Sequence, residues 1–267
     1  MLLAWAALAA GCDDRSATEK VIVTGSTTIM PIAEVAGEMY QDEHPETDVL
    51  VSGMGSSAGI ESVSNGSSDI GTSSRELKDE EQDLGLVDAP IAYDAIAVIV
   101  HPDNPVRSLT TAEVRGIYSG AITNWSELGG PDVEIGLVNR DEASGTREAF
   151  KKIVMGDAQF DVGAVILPGT GQVRAVVADV PGAIGYISLG FVNSDVRAVA
   201  IDGVEPSEDA VVAGTYPIRR TLHFFTLGQP QGETAAYIDY VLSPAIQDVI
   251  VRDAGFIPIT VKEVVGG

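Results

Sequence analysis

Short apolar runs alternate with helix-spaced ones over the first hundred residues, and small clusters of glycine, serine and threonine separate them. Residues 21–23, Val-Ile-Val, form a β-branched run that ends in Gly25-Ser26-Thr27-Thr28. From Pro31 to Tyr40 the apolar residues Ile32, Val35, Ala36 and Met39 recur at helical spacing, with proline placed for a first turn. The same order returns at residues 48–51, followed by the cluster from Gly53 to Gly59 and a helix pattern carrying Ile60 and Val63 that stops at Asn65-Gly66. A third strand is predicted at residues 69–71, running into Thr72-Ser73-Ser74-Arg75. Repeated strand, loop and helix units predict an α/β fold with mostly parallel sheets, whose crevice lies beyond the carboxyl ends of the strands.

Residues 95–100, AIAVIV, are apolar at every position, as in a strand covered on both faces. Beyond His101-Pro102 the turn residues and charges rise, which predicts a second domain built on strands at 135–138 and 185–187. An apolar run at 222–227 and helical periodicity over 235–251 close the chain. Two crossings between lobes are therefore expected, near residues 93–97 and 220–225. They give lobe I as 20–92 plus 222–267, lobe II as 93–221, and a ligand cleft between them at a hinge. Asp94 and Tyr93, near that hinge, read as structural. Residues 1–19 are left as an export signal and polar linker.

Composition narrows the partners. A chain of 267 residues with 45% hydrophobic content can bury two cores. Its 39 acidic against 16 basic residues, net −23, argue against nucleic acid or an anionic membrane surface, which demand basic patches. A solvated surface and an adaptation to high salt both fit that acidity. The single cysteine, Cys12, excludes an intramolecular disulfide and a cysteine-based metal site. The apolar run before it is too short for a bilayer, which takes about 20 residues, and reads as the end of an export signal. Ala9-Ala10-Gly11-Cys12 resembles a lipobox, so lipidation of Cys12 is expected, although position 9 is not the usual leucine and no basic residue precedes the run.

The strongest chemical signal is Arg140-Asp141-Glu142-Ala143-Ser144-Gly145-Thr146, set between the 135–138 strand and a helix-like run. A guanidinium forks onto two oxygens of a small oxyanion, and the hydroxyls of Ser144 and Thr146 add donors. The first amides of a helix lack partners of their own and face an anion directly. The clusters Gly25 to Thr28 and Gly55 to Gly59 have the same character, and three such loops meeting at one point would enclose an anion.

These three loops, in this order, together with residues 109–130, 181–192 and 237–259, resemble the phosphate-binding proteins of high-affinity phosphate ABC transporters, which are type II periplasmic binding proteins. The resemblance covers nearly the whole chain after residue 20. It implies an extracytoplasmic, monomeric solute-binding protein that captures inorganic phosphate between two α/β lobes and delivers it to an ABC permease. A membrane is then met only through the Cys12 lipid. No catalysis, cofactor or metal is implied. Motif by motif it places ligands at Ser26, Thr27 and Thr28, at Ser56, and at Arg140, Ser144, Gly145 and Thr146. Where longer relatives carry an aspartate that accepts the ligand's proton, this chain has Ser74 followed by Arg75. Ser74 accepts or donates but repels a proton-free anion such as sulfate less than a carboxylate would. Phosphate preference is expected, with discrimination resting on Asp141 or another carboxylate.

The alternatives stay open at this stage. Sulfate, arsenate or molybdate would suit the same donors. Arg75 touches the ligand or pairs with Glu76 or Asp69. Gly55-Ser56-Ser57-Ala58-Gly59 also matches G-x-S-x-G, with Ser57 at the nucleophile place and His223 formally available as base. Against a hydrolase, His223 falls inside an apolar, strand-like run. His44 and His101 show no metal-ligand spacing.

Overall fold

A computed structural model describes residues 19–259. The residues expected to form the export signal and the Cys12 lipidation site lie outside the described residues, apart from Glu19. No helix among the described residues is long and apolar enough to cross a membrane.

The first strand, β1 (Glu19–Gly25), pairs in parallel with β2 (Thr47–Gly53) and β3 (Ile70–Ser73). Gly25 is opposite Gly53 on one side and Thr72 on the other, so the three strands end level and release their loops at one edge. Helix α1 (Met30–Glu43) follows β1, and α2 (Ser56–Ser64) follows β2. The buried face of α1 is Ile32, Ala33, Ala36, Gly37 and Tyr40, while Val35 and Met39 are 45% and 36% exposed. Small residues win the inner face because Gly37 lies directly against Val49, where a larger side chain would hold helix and strand apart.

The long strand β4 (Leu86–Val100) starts well before the apolar run that announced it. Its first half carries Asp88 and Pro90, which masked it in the sequence. Pro90 is opposite His223 where the ladder with the return strand slips register, a bulge that tolerates a residue with no amide hydrogen. Beyond β4, β5 (Ser108–Leu109) leads to α3 (Thr111–Tyr118), β6 (Gly136–Arg140) to α4 (Gly145–Phe150), and β7 (Val165–Leu167) to α5 (Thr170–Asp179). Next come β8 (Ala183–Ser188), β9 (Arg197–Ala198), β10 (Ala200–Ile201) and α6 (Glu208–Val212). The return strand is β11 (Arg219–Leu227), followed by α7 (Gly232–Leu242), α8 (Pro244–Ile246) and β12 (Ile257–Pro258). One helix was expected over 235–251. It breaks at Ser243 because Pro244 has no amide hydrogen to continue the ladder, and Ser243 caps the restart.

The main sheet runs β2-β1-β3-β11-β4-β8-β6-β7, with β9 and β12 beside β4, while β5 and β10 pair separately. Its wings are parallel as expected, but β11 is antiparallel to β3 and β4, and β4 to β8, so the sheet is mixed at its centre. The apolar interior divides at these central strands. Ile91, Ala92, Leu222 and Phe224 pack with Val21, Val23 and Ile32, whereas Ala95, Ile96, Val98 and Ile218 pack with Trp125, Phe150 and Tyr186. Ile257, on β12, joins the second group.

Candidate anion-binding site

Four strand-to-helix turns face one another: β1 to α1, β2 to α2, β6 to α4 and β7 to α5. The cross-contacts between them are made almost entirely by small hydroxylated residues. The Ser26 amide donates to Thr72 Oγ1 at 2.7 Å, which anchors the first loop on the end of β3. Gly55 opens α2 at φ 97°, a conformation that favours glycine, and a Cβ there would lie 2.8 Å from the Ala143 carbonyl. The Ser57 amide donates to that same carbonyl at 3.1 Å, so the second and third loops touch through backbone.

Side chains complete the convergence. Ser26 and Ser74 hydroxyls are hydrogen-bonded to each other. Thr28 Oγ1 is 3.3 Å from Thr146 Oγ1 and from Thr170 Oγ1, and Thr27 Oγ1 is 3.2 Å from Thr170 Oγ1. Ser26, Thr28, Ser56, Ser74, Arg140, Ser144 and Thr146 are all buried. Every residue that the sequence placed at the site, except the guanidinium of Arg75, is therefore in one cluster.

Arg140 enters from the end of β6, where Leu167 of β7 is its register partner. Its Nε donates to the Leu167 carbonyl at 3.1 Å and its Nη2 to the Pro168 carbonyl at 2.7 Å, fixing the plane of the fork. The outer edge reaches Thr170 Oγ1 from Nη1 at 3.1 Å and Thr27 Oγ1 from Nη2 at 3.3 Å. Burial lowers its pKa from the usual arginine value, with the nearby Arg220 adding to that and Tyr186 and Asp141 opposing it. An arginine remains protonated all the same.

The hydroxyls are polarised in one sense. Ser56 Oγ accepts from the Ser74 amide at 3.0 Å, Ser144 Oγ from the Arg147 amide at 3.2 Å, and Ser26 Oγ from the Thr28 amide at 3.2 Å. A hydroxyl has one proton and two lone pairs, so a fixed donor on one lone pair turns the proton away from that donor and leaves it available to another acceptor. The first ladder bond of α4 runs from the Glu148 amide to the Ser144 carbonyl, which leaves the amides of Gly145 and Thr146 outside the helix ladder. Gly145 approaches the second loop so closely that a Cβ would lie 2.8 Å from Ser56 Cβ. Desolvated donors pointing inward around one buried guanidinium are suited to a compact anion rich in acceptor oxygens.

Arg75 behaves differently. Its guanidinium is clamped by Glu81, with Nη1 to Oε2 at 2.6 Å and Nη2 to Oε1 at 2.8 Å, rather than by Glu76 or Asp69 side chains. Burial pushes the Glu81 carboxyl up, but the Arg75 hydrogen bonds, the Lys78 amide and both cations outweigh it and hold the group below the usual glutamate range. Ser57 Oγ accepts from Arg75 Nη2 at 3.3 Å. His223 Nδ1 instead contacts Asp88 at 2.9 Å, and no hydrogen bond joins His223 to Ser57 among the described residues. The Ser57 and His223 pairing that a hydrolase would use is not assembled.

Three buried residues of this cluster carried no motif. Thr170 follows β7 in Gly169-Thr170-Gly171, a strand, loop and helix unit whose signal was present but short. Arg220 of β11 donates from Nη1 to Thr146 Oγ1 at 2.9 Å and to the Ser74 carbonyl at 3.2 Å. Its other nitrogens hold Asp94 of β4, a contact between residues 126 apart that no local pattern encodes. Asp141, offered as a discriminating carboxylate, has Oδ1 enclosed with no hydrogen-bond partner among the described residues.

Comparisons with known proteins identify the family. A family model described as the PBP superfamily domain matches residues 13–245. Phosphate-binding protein PstS of Bacillus subtilis (strain 168) is 37% identical over 250 residues, covering 92% of this chain and 83% of the relative. The PstS of Borreliella burgdorferi is 29% identical and is covered over 93% of each chain. A Clostridium perfringens protein assigned as a phosphate ABC transporter substrate-binding protein, crystallised with bound phosphate, superposes with a TM-score of 0.87 at 39% identity, over 90% of this chain and 100% of that one. An ABC-type phosphate transport receptor from Vibrio cholerae gives 0.76 at 31% identity over the same shares. With matches of this extent, the chain belongs to the PBP superfamily and, within it, to the PstS family of phosphate-binding proteins.

Proposed function

We propose that this protein captures inorganic phosphate outside the cytoplasm and delivers it to an ABC permease. The observation that carries the reading is the meeting of Ser26, Thr28, Ser56, Arg140, Ser144 and Thr146 in one buried cluster, with the Ser56 and Ser144 oxygens each accepting from a backbone amide. Ligands are assigned to Ser26, Thr27, Thr28, Ser56, Ser74, Arg140, Ser144, Gly145 and Thr146. Arg75, clamped by Glu81, serves as an anchor for the second loop through Ser57. The two lobes are 20–92 plus 222–267 and 93–221, closing about β4 and β11; the split of the apolar interior at these strands supports that division. Binding is followed by no chemistry, and the named substrate-binding relatives favour that view.

Calorimetric titration of ligand-stripped protein with phosphate, sulfate, arsenate and molybdate tests the site. Phosphate is expected to bind tightest, and sulfate that displaces phosphate at comparable concentration would overturn the assignment. Co-purification with membrane permease subunits tests delivery, and its absence would favour a phosphate sensor or scavenger.

A further inference from the structure

Asp94 and Arg220 are cross-strand partners in the two strands that join the halves of the molecule. Nε and Nη2 of Arg220 close on Asp94 Oδ2 at 2.9 and 2.7 Å, and Asp94 Oδ1 accepts from the Ser188 hydroxyl at 2.7 Å. Both side chains are almost wholly buried, at 4% and 0% exposure. Removing two opposite charges from water costs so much that apolar residues of equal volume would often serve stability as well or better. The use of the pair therefore has to be sought in what else it touches.

Nη1 is the guanidinium nitrogen not committed to Asp94. It donates to Thr146 Oγ1 at 2.9 Å in the third loop and to the Ser74 carbonyl at 3.2 Å in the loop after β3. With the guanidinium on one lone pair, the proton of Thr146 is turned away from Arg220, toward the side where Thr28 Oγ1 lies at 3.3 Å. Asp94 has a second effect. A bare guanidinium one hydroxyl behind a bound anion would strengthen the hold on dianions more than on monoanions, whereas a closed ion pair presents a dipole with no net charge.

We propose that Arg220 is a positioning residue of the anion site, fixing Thr146 as a hydrogen-bond donor, and that Asp94 cancels its charge so that Arg140 alone sets the cationic strength felt by the ligand. This rests on the phosphate reading of the same site. Arg140, Tyr186 and Tyr216 are the other ionisable groups facing the pair. Burial pushes both phenols up, away from neutrality, so these neighbours hold their charge while the ligand changes its own.

The test is calorimetric titration of the whole protein with phosphate and with sulfate, on each side of phosphate's second ionisation. Wild type is compared with Asp94→Asn, Arg220→Gln and the double variant. Asp94→Asn keeps the shape and uncovers the charge. It should bind sulfate several-fold tighter at either pH, and its gain for phosphate should be larger on the alkaline side. Arg220→Gln should weaken both anions by at least about tenfold. Should that variant misfold around an unpaired Asp94, the double variant decides, since it buries no charge. It is expected to fold, to bind at least about tenfold more weakly, and to keep the wild-type pH profile. Asp94→Asn with unchanged sulfate affinity and phosphate pH profile, or a double variant within about twofold of wild type, would overturn the proposal. A wild type that binds neither anion would sink the phosphate reading instead, which separates the two failures.

Discussion

Gly145→Ala isolates the contact between the second and third loops. The added Cβ would lie 2.8 Å from Ser56 Cβ and 3.2 Å from the Ser74 amide nitrogen. Carbon atoms sit comfortably at roughly 3.5 Å or more, so the loops must separate by about 0.7 Å. A hydrogen bond of ordinary length stretched by that amount is largely lost. Rotating the Ser56 hydroxyl aside does not relieve the clash, because Ser56 Cβ and the Ser74 backbone stay in place. Overpacking of this size costs about 1–3 kcal/mol. The strain falls on loops from opposite halves, so it weighs on the closed, anion-holding arrangement and little on the folding of either half. Phosphate affinity should therefore fall by roughly five- to 150-fold. Thermal unfolding without phosphate should stay level or rise slightly, since alanine is the better helix former. Calorimetry and differential scanning of both proteins, with and without phosphate, provide the readout. An unchanged affinity, or a ligand-free melting temperature that drops with it, would refute the reasoning.

Arg140→Ala removes charge-assisted hydrogen bonds worth about 1.5–3 kcal/mol each, and two of them predict a loss on the order of a thousandfold in phosphate affinity; binding within about tenfold of wild type would count against the site. Ser57→Ala removes only an acceptor for Arg75 Nη2, so phosphate affinity should change by no more than a few-fold, and any small-ester turnover lost with that hydroxyl would revive a hydrolase. The Glu233 carboxyl is held below its usual value of 4.5 by the Tyr40 hydroxyl and then by Thr47, while Glu81 is held down by Arg75 and Lys78 against its burial. A carboxyl with a depressed folded-state pKa stabilises the fold above the unfolded value and loses that contribution as pH falls through the folded one. Urea midpoints should therefore decline below about pH 4.5, and Glu233→Gln should make that decline shallower; an identical slope in the variant would exclude Glu233.

The alternation of runs and clusters was enough to place β1, α1, β2, α2 and β3, because each is a local pattern bounded by glycine or proline. The three loops proposed to hold the ligand were legible for the same reason, since each stands at the carboxyl end of a short apolar strand. What escaped had causes elsewhere in the chain. Val35 and Met39 have the spacing of a buried face, yet Gly37 against Val49 turns the small residues inward. The first half of β4 was hidden by Asp88 and Pro90; Asp88 is exposed and meets His223, and Pro90 sits where β4 itself bulges against β11. Arg75 had acids at hand in Glu76 and Asp69, but the turn after β3 brings Glu81 to it instead. Arg220 and Asp94 meet through a strand register, which apolar periodicity does not specify.

The two polypeptide crossings between the halves lie side by side in one ladder, Arg219 to Leu227 against Leu86 to Ala95. Such a joint is a flexure. It bends like a leaf spring about a single line and resists twist or slip, because either would break several rungs at once. If the halves close about this ladder as proposed, they return to one alignment on every cycle, with the memory of that alignment held in peptide planes and not in the guest. On the proposed closure about β4 and β11, an outer surface spanning both halves would be rebuilt identically each time, and a docking permease could read it as a report that cargo is aboard.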